Sequence, residues 1–276
     1  MNPTVVLSVA GLDPGAGAGL LCDLKTFSAL GTYGLGVISA STIQNTHEVR
    51  QIYPTPPDQL YEQIDCLFDD FTISAIKTGM VGSSANLDTL AKIFSQLQLC
   101  PLVVDPVLVS STGTSLLGDG TVARYKETLI QLATLVTPNL FEAQLLSGVT
   151  IDSVASIELA ARSIYKLGAK NVLIKGGHLP EFSLQGISNM ATDFLFDGDH
   201  LETFSYPFID TRNNHGTGCS LSSAICSYLA LGNDMINSVK LAKQYVQKAL
   251  LGSAGWTLGK GHGPLDHFFL NNEAWS

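Results

Sequence analysis

The run His215-Gly216-Thr217-Gly218-Cys219 stands directly before a segment in which Leu221, Ala224, Ile225, Tyr228 and Leu229 recur at helical spacing. A helix starting there leaves backbone N–H groups unpaired and aimed into one hollow, where the helix dipole favours negative charge. A thiol in that hollow should ionise more readily than free cysteine, below a pKa of about 8.5. An anion hole that also holds a nucleophile or base suits phosphoryl or acyl transfer. The competing reading is an ordinary glycine-rich helix start over a buried cysteine. Cys226, seven residues on, reads as core.

Other segments add reactive groups. The loop Ala10 to Gly19 carries glycines at 11, 15, 17 and 19, which permit close backbone approach to a ligand. It is not a dinucleotide fingerprint: Gly15-x-Gly17-x-Gly19 has the wrong spacing, and the first acid beyond the following helix is Glu48. Nor is there a P-loop, because Gly259-Lys260 is followed by Gly261. Thr137 to Glu142 places Asn139 and Glu142 three apart, on one face of a first helical turn. A carboxylate there can orient Mg²⁺ waters, or it can complete a capping box. Asp105 in Val104-Asp105-Pro106-Val107 and Lys175 in Lys175-Gly176-Gly177-His178 each close an apolar run.

These groups need elements to hold them. Val5 to Ala10 reads as a buried strand and Leu20 to Leu30 as a helix stopped by Gly31. Gly36 to Ile43 and Val49 to Tyr53 are extended, and Pro57 opens a helix with Leu60, Ile64, Leu67, Phe68 and Phe71 on its apolar face. Strands at Ala75–Lys77, Leu102–Asp105, Leu135–Val136 and Val172–Lys175 alternate with helices at Leu87–Leu97, Val122–Leu132, Phe141–Leu146 and Ile157–Leu167. Asp193–Phe196 and Leu201–Tyr206 flank Asp197-Gly198-Asp199, a hairpin signal. Two amphipathic helices follow. The alternation predicts one domain over residues 1–276, an α/β fold of three layers. Its sheet is mostly parallel, with helices on both faces and an antiparallel edge hairpin. In such a sheet Asp105, Glu142, Lys175 and Cys219 gather at the carboxyl ends of the strands, where ligands bind.

Composition narrows the partners. Hydrophobic residues make up 45% of the 276 and charged residues 14%, against roughly 25% charged in an average soluble domain, which excludes disorder. Fifteen basic against twenty-four acidic residues leave a net charge of −9 without a Lys/Arg cluster. Nucleic acid and an anionic membrane are therefore not expected as partners. Five cysteines without a C-x-x-C pair fit neither a disulfide framework nor a zinc site. With no apolar run long enough for a signal or a membrane span, the expected location is cytoplasmic.

Read together, these segments resemble the ribokinase-like superfamily, and within it the bacterial hydroxymethylpyrimidine/phosphomethylpyrimidine kinases of thiamine biosynthesis. The resemblance runs from about Val5 to Phe269. Its most specific pieces are Gly19 to Leu30 with Asp23-Leu24-Lys25-Thr26, Gln44-Asn45-Thr46 and Lys77-Thr78-Gly79-Met80. Val104 to Val107, Thr137 to Glu142, Lys175 to His178 and Asp210 to Cys219 complete it. It implies transfer of the γ-phosphoryl group of ATP, with Mg²⁺, to the pyrimidine 5-hydroxymethyl, and a second transfer that makes the pyrophosphate. By the same resemblance Gln44 hydrogen-bonds the aminopyrimidine, and Asp23, Met80, Gly11 and Val107 line its pocket. The Gly216 to Gly218 amides form the anion hole, Cys219 is the catalytic base, and Lys175 neutralises the transferring charge. Asn139, Thr211 and Thr217 join in holding ATP and its phosphates, Asp105 and Glu142 organise Mg²⁺, and a homodimer forms through Gly36 to Tyr53. The chain departs from the family pattern at Leu12 and Ala16, where many relatives have serine and glycine, and at Asn214, where threonine is commoner.

A vitamin B6 kinase of the same superfamily, acting on pyridoxal or pyridoxamine, is the nearest rival. Both substrates are flat heteroaromatics with a hydroxymethyl group. The amide of Gln44 favours the pyrimidine, because it offers donor and acceptor together, matching an amine beside a ring nitrogen. A nucleotide-binding protein without turnover is disfavoured because Cys219 and Glu142 are both present.

Overall fold

In the computed structural model, which describes residues 2–96, 100–108, 120–177 and 189–269, the first apolar run forms β1 (Val5–Leu12), an interior strand third from one edge of a nine-stranded sheet. The other strands are β2 (Tyr33–Gln44), β3 (Val49–Pro54), β4 (Ala75–Thr78), β5 (Leu102–Val104), β6 (Leu135–Val136), β7 (Val172–Ile174), β8 (Met190–Phe196) and β9 (Leu201–Pro207). Their order is β3-β2-β1-β4-β5-β6-β7-β8-β9. From β2 to β7 the pairs are parallel. The expected hairpin, β8 with β9, closes one edge antiparallel; Asp197 Oδ1 accepts the N–H groups of Asp199 and His200 at its turn. The opposite edge is antiparallel as well, because β3 folds back on β2.

Alternation along the strands sorts the core into two layers. Leu7, Val9, Val104, Val172 and Ile174 face one side, against α2 (Pro57–Asp70), α3 (Ser84–Gln96), α4 (Thr121–Glu127), α5 (Leu129–Leu132), α6 (Leu140–Ser147) and α7 (Val154–Tyr165). Val6, Ala75, Val103, Leu135 and Leu173 face the other, against α1 (Gly19–Ala29), α8 (Thr217–Ala230) and α9 (Met235–Ser253). The predicted Val122–Leu132 helix is divided. Thr128 leaves helical geometry at φ −125° and ψ −97°, with its hydroxyl bonded back to the Arg124 carbonyl, the local competition that makes threonine a poor helix interior. Leu97 and His178, expected in a helix and a strand-end motif, lie outside the described residues.

After β1 the chain builds outward through β2 and β3, then returns to place β4 on the other side of β1. The carboxyl ends of β1 and β4 are thus the switch point at which open α/β sheets bind ligands. Beneath it lies an ion pair with no solvent exposure at either member. Lys77 of β4 donates to both oxygens of Asp23 of α1, at 2.9 and 2.7 Å. Ser8 of β1 (2.6 Å) and Ser223 of α8 (2.7 Å) donate to the same carboxylate. Burial is the largest single influence and would lower the Lys77 pKa, but Asp23, through its charge and its hydrogen bond, together with Cys219 and Asp105, outweighs it and raises it.

Asp23→Ala strands the Lys77 ammonium in an apolar interior and should cost about 3–5 kcal/mol in urea unfolding. Asp23→Leu combined with Lys77→Met should recover most of that loss. A cost below about 1 kcal/mol for the single change would mean that water reaches the lysine.

Candidate active site

The glycine loop after β1 is shaped by Asp13. Its carboxylate accepts the N–H groups of Gly15 (2.8 Å), Gly17 (3.2 Å) and Ala18 (3.0 Å) and meets Nε2 of His215 at 2.9 Å. Burial would raise its pKa, but the His215 contact and the backbone donors together hold it below the ordinary carboxylate value. Ala16, one of the family departures, sits at φ +56°. This left-handed conformation favours glycine, and its carbonyl is tied down by Lys25 Nζ at 2.7 Å.

The loop and the start of α8 touch backbone to backbone. Gly216 is left-handed (φ +87°), and a Cβ there would fall 1.9 Å from the Gly17 carbonyl oxygen. A Cβ on Gly17 would in turn lie 2.4 Å from Cδ2 of His215. The two glycine motifs that the sequence presents separately are therefore one structure. Gly218 borders Lys175, whose Nζ would be 3.2 Å from a Cβ at 218. The lysine ammonium thus faces the helix start that exposes the amides.

Lys175 Nζ donates to Asp105 Oδ1 at 2.7 Å. Thr137 and Ser222 also donate to Asp105, at 3.1 and 3.2 Å. Burial would raise the Asp105 pKa, but Lys175 and Lys77 overcome it and hold the group ionised. Glu142 behaves in the opposite way. Burial, with a further push from the negative Asp105, raises it above the ordinary carboxylate value despite the nearby Lys175. Its Oε2 accepts the Asn139 N–H at 2.8 Å, while Asn139 Oδ1 accepts the Glu142 N–H at 2.9 Å. The capping-box reading of this pair is therefore realised, and it leaves Glu142 buried beside the Lys175–Asp105 pair.

Cys219 is half-buried in the first turn of α8. The sequence expectation of an easily ionised thiol is reversed. Burial pushes its pKa up to about 11, with Lys77 and a Gly19 N–H pulling the other way and Asp23 and Asp105 adding to the rise. The helix start is electropositive, but the desolvation of a thiolate at this half-buried position outweighs it.

At the opposite wall, Gln44 ends β2 with Nε2 placed 3.4 Å from His215 Nε2 and Oε1 placed 3.3 Å from Thr42 Oγ1. Met80 borders Gly11 so closely that a Cβ on the glycine would lie 2.2 Å from Met80 Cε. Val107 is half-buried just beyond β5. Thr211 and Thr217 serve local turns: Asn213 N–H donates to Thr211 Oγ1 (3.1 Å) and Thr217 Oγ1 donates to the Asn214 carbonyl (2.6 Å). Asn214, the second departure, is exposed and meets His262 Nδ1 at 3.0 Å. Asp23 corrects its expectation. Its carboxylate is saturated by Lys77, Ser8 and Ser223 and fully buried, so it supports the site from below and does not line a pocket. Sequence reasoning passed over Asp13, Lys77 and His215 as functional residues. Asp13 had a signal, an Asx residue two before the first of three loop glycines.

The family profile of the phosphomethylpyrimidine kinases matches residues 13–266. The chain belongs to that family. A thiamine biosynthesis bifunctional protein of Geobacter sulfurreducens is 42% identical over 95% of the chain, which spans 52% of that relative, about half its length. The hydroxymethylpyrimidine/phosphomethylpyrimidine kinase of Bacillus subtilis is 38% identical over 95% of this chain and 94% of its own. Among solved structures, the ADP complex of Bacillus subtilis pyridoxal kinase superposes with a TM-score of 0.87 at 31% identity, covering 98% of this chain and all of that one. The ribokinase-like fold is thereby established. No helix among the described residues is long and apolar enough to cross a membrane.

A thiol held up to about 11 should react with iodoacetamide about tenfold faster for each pH unit between 7 and 10, because only the thiolate attacks. Peptide mapping would separate Cys219 from the exposed Cys66. A plateau in the Cys219 rate below about pH 8.5 would mean that the helix start, and not burial, governs the thiol.

Proposed function

We propose that this protein transfers the γ-phosphoryl group of ATP to the hydroxyl of 4-amino-5-hydroxymethyl-2-methylpyrimidine, and a second phosphoryl group to the resulting monophosphate. It would do so in the cytoplasm, as a single kinase domain serving thiamine biosynthesis. The observation that carries this reading is the convergence of Lys175 Nζ, the Gly218 end of α8 and Cys219 across the switch point from Gln44. Phosphoryl transfer asks for positioned positive charge and amides more than for covalent chemistry, and this is what the site supplies. The α8 amides receive the γ-phosphoryl group, Lys175 offsets the charge that spreads over it, and Asp105 holds Lys175 in place. Cys219 takes the hydroxyl proton. Its raised pKa keeps the thiolate scarce near neutral pH, so the proton is taken late, in keeping with a loose transition state.

Among the described residues no three His, Cys, Asp or Glu side chains converge as a metal cage. Mg²⁺ commonly binds through one or two carboxylates, waters and substrate phosphates. Glu142 and Asp105 fit that manner of binding, because their mutual repulsion is relieved by a cation. Bound there with ATP, Mg²⁺ would neutralise charge on the phosphates. The chain would pair as a homodimer through the β2–β3 edge, a reading supported by the exposure of Tyr33, Ile43 and Tyr53 there. Pyridoxal remains the second substrate to test, because a solved structure with this fold is a pyridoxal kinase.

ADP release should depend on the hydroxymethylpyrimidine and its monophosphate, with pyridoxal slower and ribose inactive. Turnover on pyridoxal alone would overturn the reading. Cys219→Ala should keep ATP affinity and lose roughly 10²–10⁴-fold in kcat. Near-normal turnover would reduce the thiol to packing.

Glu142→Gln keeps the cap, since glutamine also completes a capping box, but removes the charge. The Mg²⁺ concentration for half-maximal rate should rise in this variant. In the wild-type protein it should fall as pH increases across the neutral range, because the cation binds the deprotonated form of a carboxyl whose pKa is raised. An unchanged requirement in Glu142→Gln would leave Glu142 a helix cap and nothing more.

A further inference from the structure

Gln44 and Thr42 stand two apart on β2, on the same face of the strand, and His215 approaches from the start of α8. As placed, the amide has Nε2 toward His215 and Oε1 toward Thr42, but a half-turn exchanges the two atoms, so its partners decide which way it lies. The Asp13 carboxylate only accepts, and Asp13 Oδ2 is 2.9 Å from His215 Nε2. That nitrogen therefore carries a proton in either charge state of the ring and has no in-plane lone pair, so of the two Gln44 amide atoms only the oxygen can face it at 3.4 Å, sharing its one proton with Asp13. Thr42 makes the same demand from the other side. Its single hydroxyl proton goes to the Leu12 carbonyl at 2.9 Å, so toward Gln44, at 3.3 Å, it has only lone pairs to offer. What faces Thr42 must be a donor.

We propose that Asp13 and His215 are specificity-determining positioning residues: they fix the Gln44 amide with Oε1 toward His215 and Nε2 toward Thr42, and so select which edge of a heteroaromatic ring the protein accepts. The proposal deepens the kinase reading and rests on it. Once these two contacts are made, Oε1 keeps one lone pair and Nε2 one proton for a ligand. A ring with an amine on the His215 side and an unprotonated ring nitrogen on the Thr42 side satisfies both. A 4-oxo ring with an adjacent ring N–H presents the inverse pattern, acceptor to acceptor and donor to donor. A free amide could turn to suit it, whereas an amide held by His215 and Thr42 cannot without breaking both contacts. The same Asp13 carboxylate also binds the amides of Gly15, Gly17 and Ala18, so ring selection and the shape of the glycine loop share one anchor.

The test compares kcat/KM for 5-hydroxymethyl-4-aminopyrimidine and its 4-oxo counterpart in wild type, His215→Gln and His215→Ala. The glutamine variant can return an N–H toward Asp13 and Gln44 and should keep the wild-type preference. His215→Ala frees the amide, and the amino-over-oxo preference should fall about tenfold or more, expressed in KM for the ring with KM for ATP unchanged. Nitrogen-15 spectra of the ligand-free wild-type protein should show a proton on Nε2 of His215, a readout that stands even if His215→Ala does not fold. An unprotonated Nε2, or an unaltered preference in a folded His215→Ala, overturns the inference and leaves the kinase reading standing. Wild-type protein that phosphorylates neither ring overturns the kinase reading itself, whatever the spectra show.

Discussion

The buried pair of Asp23 and Lys77 is the constraint to which the surrounding elements are fitted. A charge of either sign alone at that depth would cost several kcal/mol, so the two must meet, and their meeting fixes α1 against β4. Ser8 and Ser223 fill the remaining acceptor sites of the carboxylate and bring β1 and α8 to the same point. Cys219 lies one turn before Ser223 on α8, hence on the same helical face. The position of the thiol, the amides around it and the floor of the hollow all follow from one saturated carboxylate.

That arrangement also governs the electrostatics of the rim. The Lys77 charge reaches Cys219 and Asp105, lowering both against the burial that raises them. Lys175 does the same for Asp105 and Glu142. Two lysines are set among two carboxylates and a thiol, and the groups differ in outcome according to what each touches. Asp105, bonded directly to Lys175, stays ionised. Glu142 is held toward its neutral form by burial and by the negative charge of Asp105, although Lys175 and the backbone N–H groups of Asn139 and Leu108 pull the other way. On the proposed function both carboxylates meet the cation from different states: Asp105 is already ionised beside Lys175, and Glu142 is the one that the cation would draw into its charged form.

The fold was legible because its signals are local. Apolar runs bounded by glycine, proline and asparagine, alternating with amphipathic stretches, specify the strands and most of the helices. The division at Thr128 was not legible, since it turns on one backbone dihedral, and neither was the antiparallel β3 edge, since pairing direction is a tertiary property. The site was legible as residue types at strand ends, and not in its contacts. Asp23 was expected to line the pocket on the family resemblance, and a carboxylate in a helix after a glycine loop carries no mark of burial that would have argued against it. Only the arrival of Lys77, fifty-four positions away, removes it from the surface. The Cys219 thiol was misjudged for the same reason. Sequence reveals the helix start that would stabilise a thiolate and conceals the desolvation that opposes it.

The contact of the two glycine motifs has a consequence for how binding at one wall is felt at the other. Gly216 and Gly17 meet at a separation that no side chain could share, so the glycine loop and the α8 hollow cannot move independently. His215 continues that seam to Gln44, through the carboxylate that organises the loop. On the proposed function, a ring seated on Gln44 would approach the α8 amides with only the His215 ring between them. Interiors packed this tightly transmit strain and do not dissipate it. On that function, ring recognition and phosphate placement adjoin along one seam, so a ring that fits Gln44 poorly would present its hydroxyl poorly to a phosphoryl group that the α8 amides hold in place.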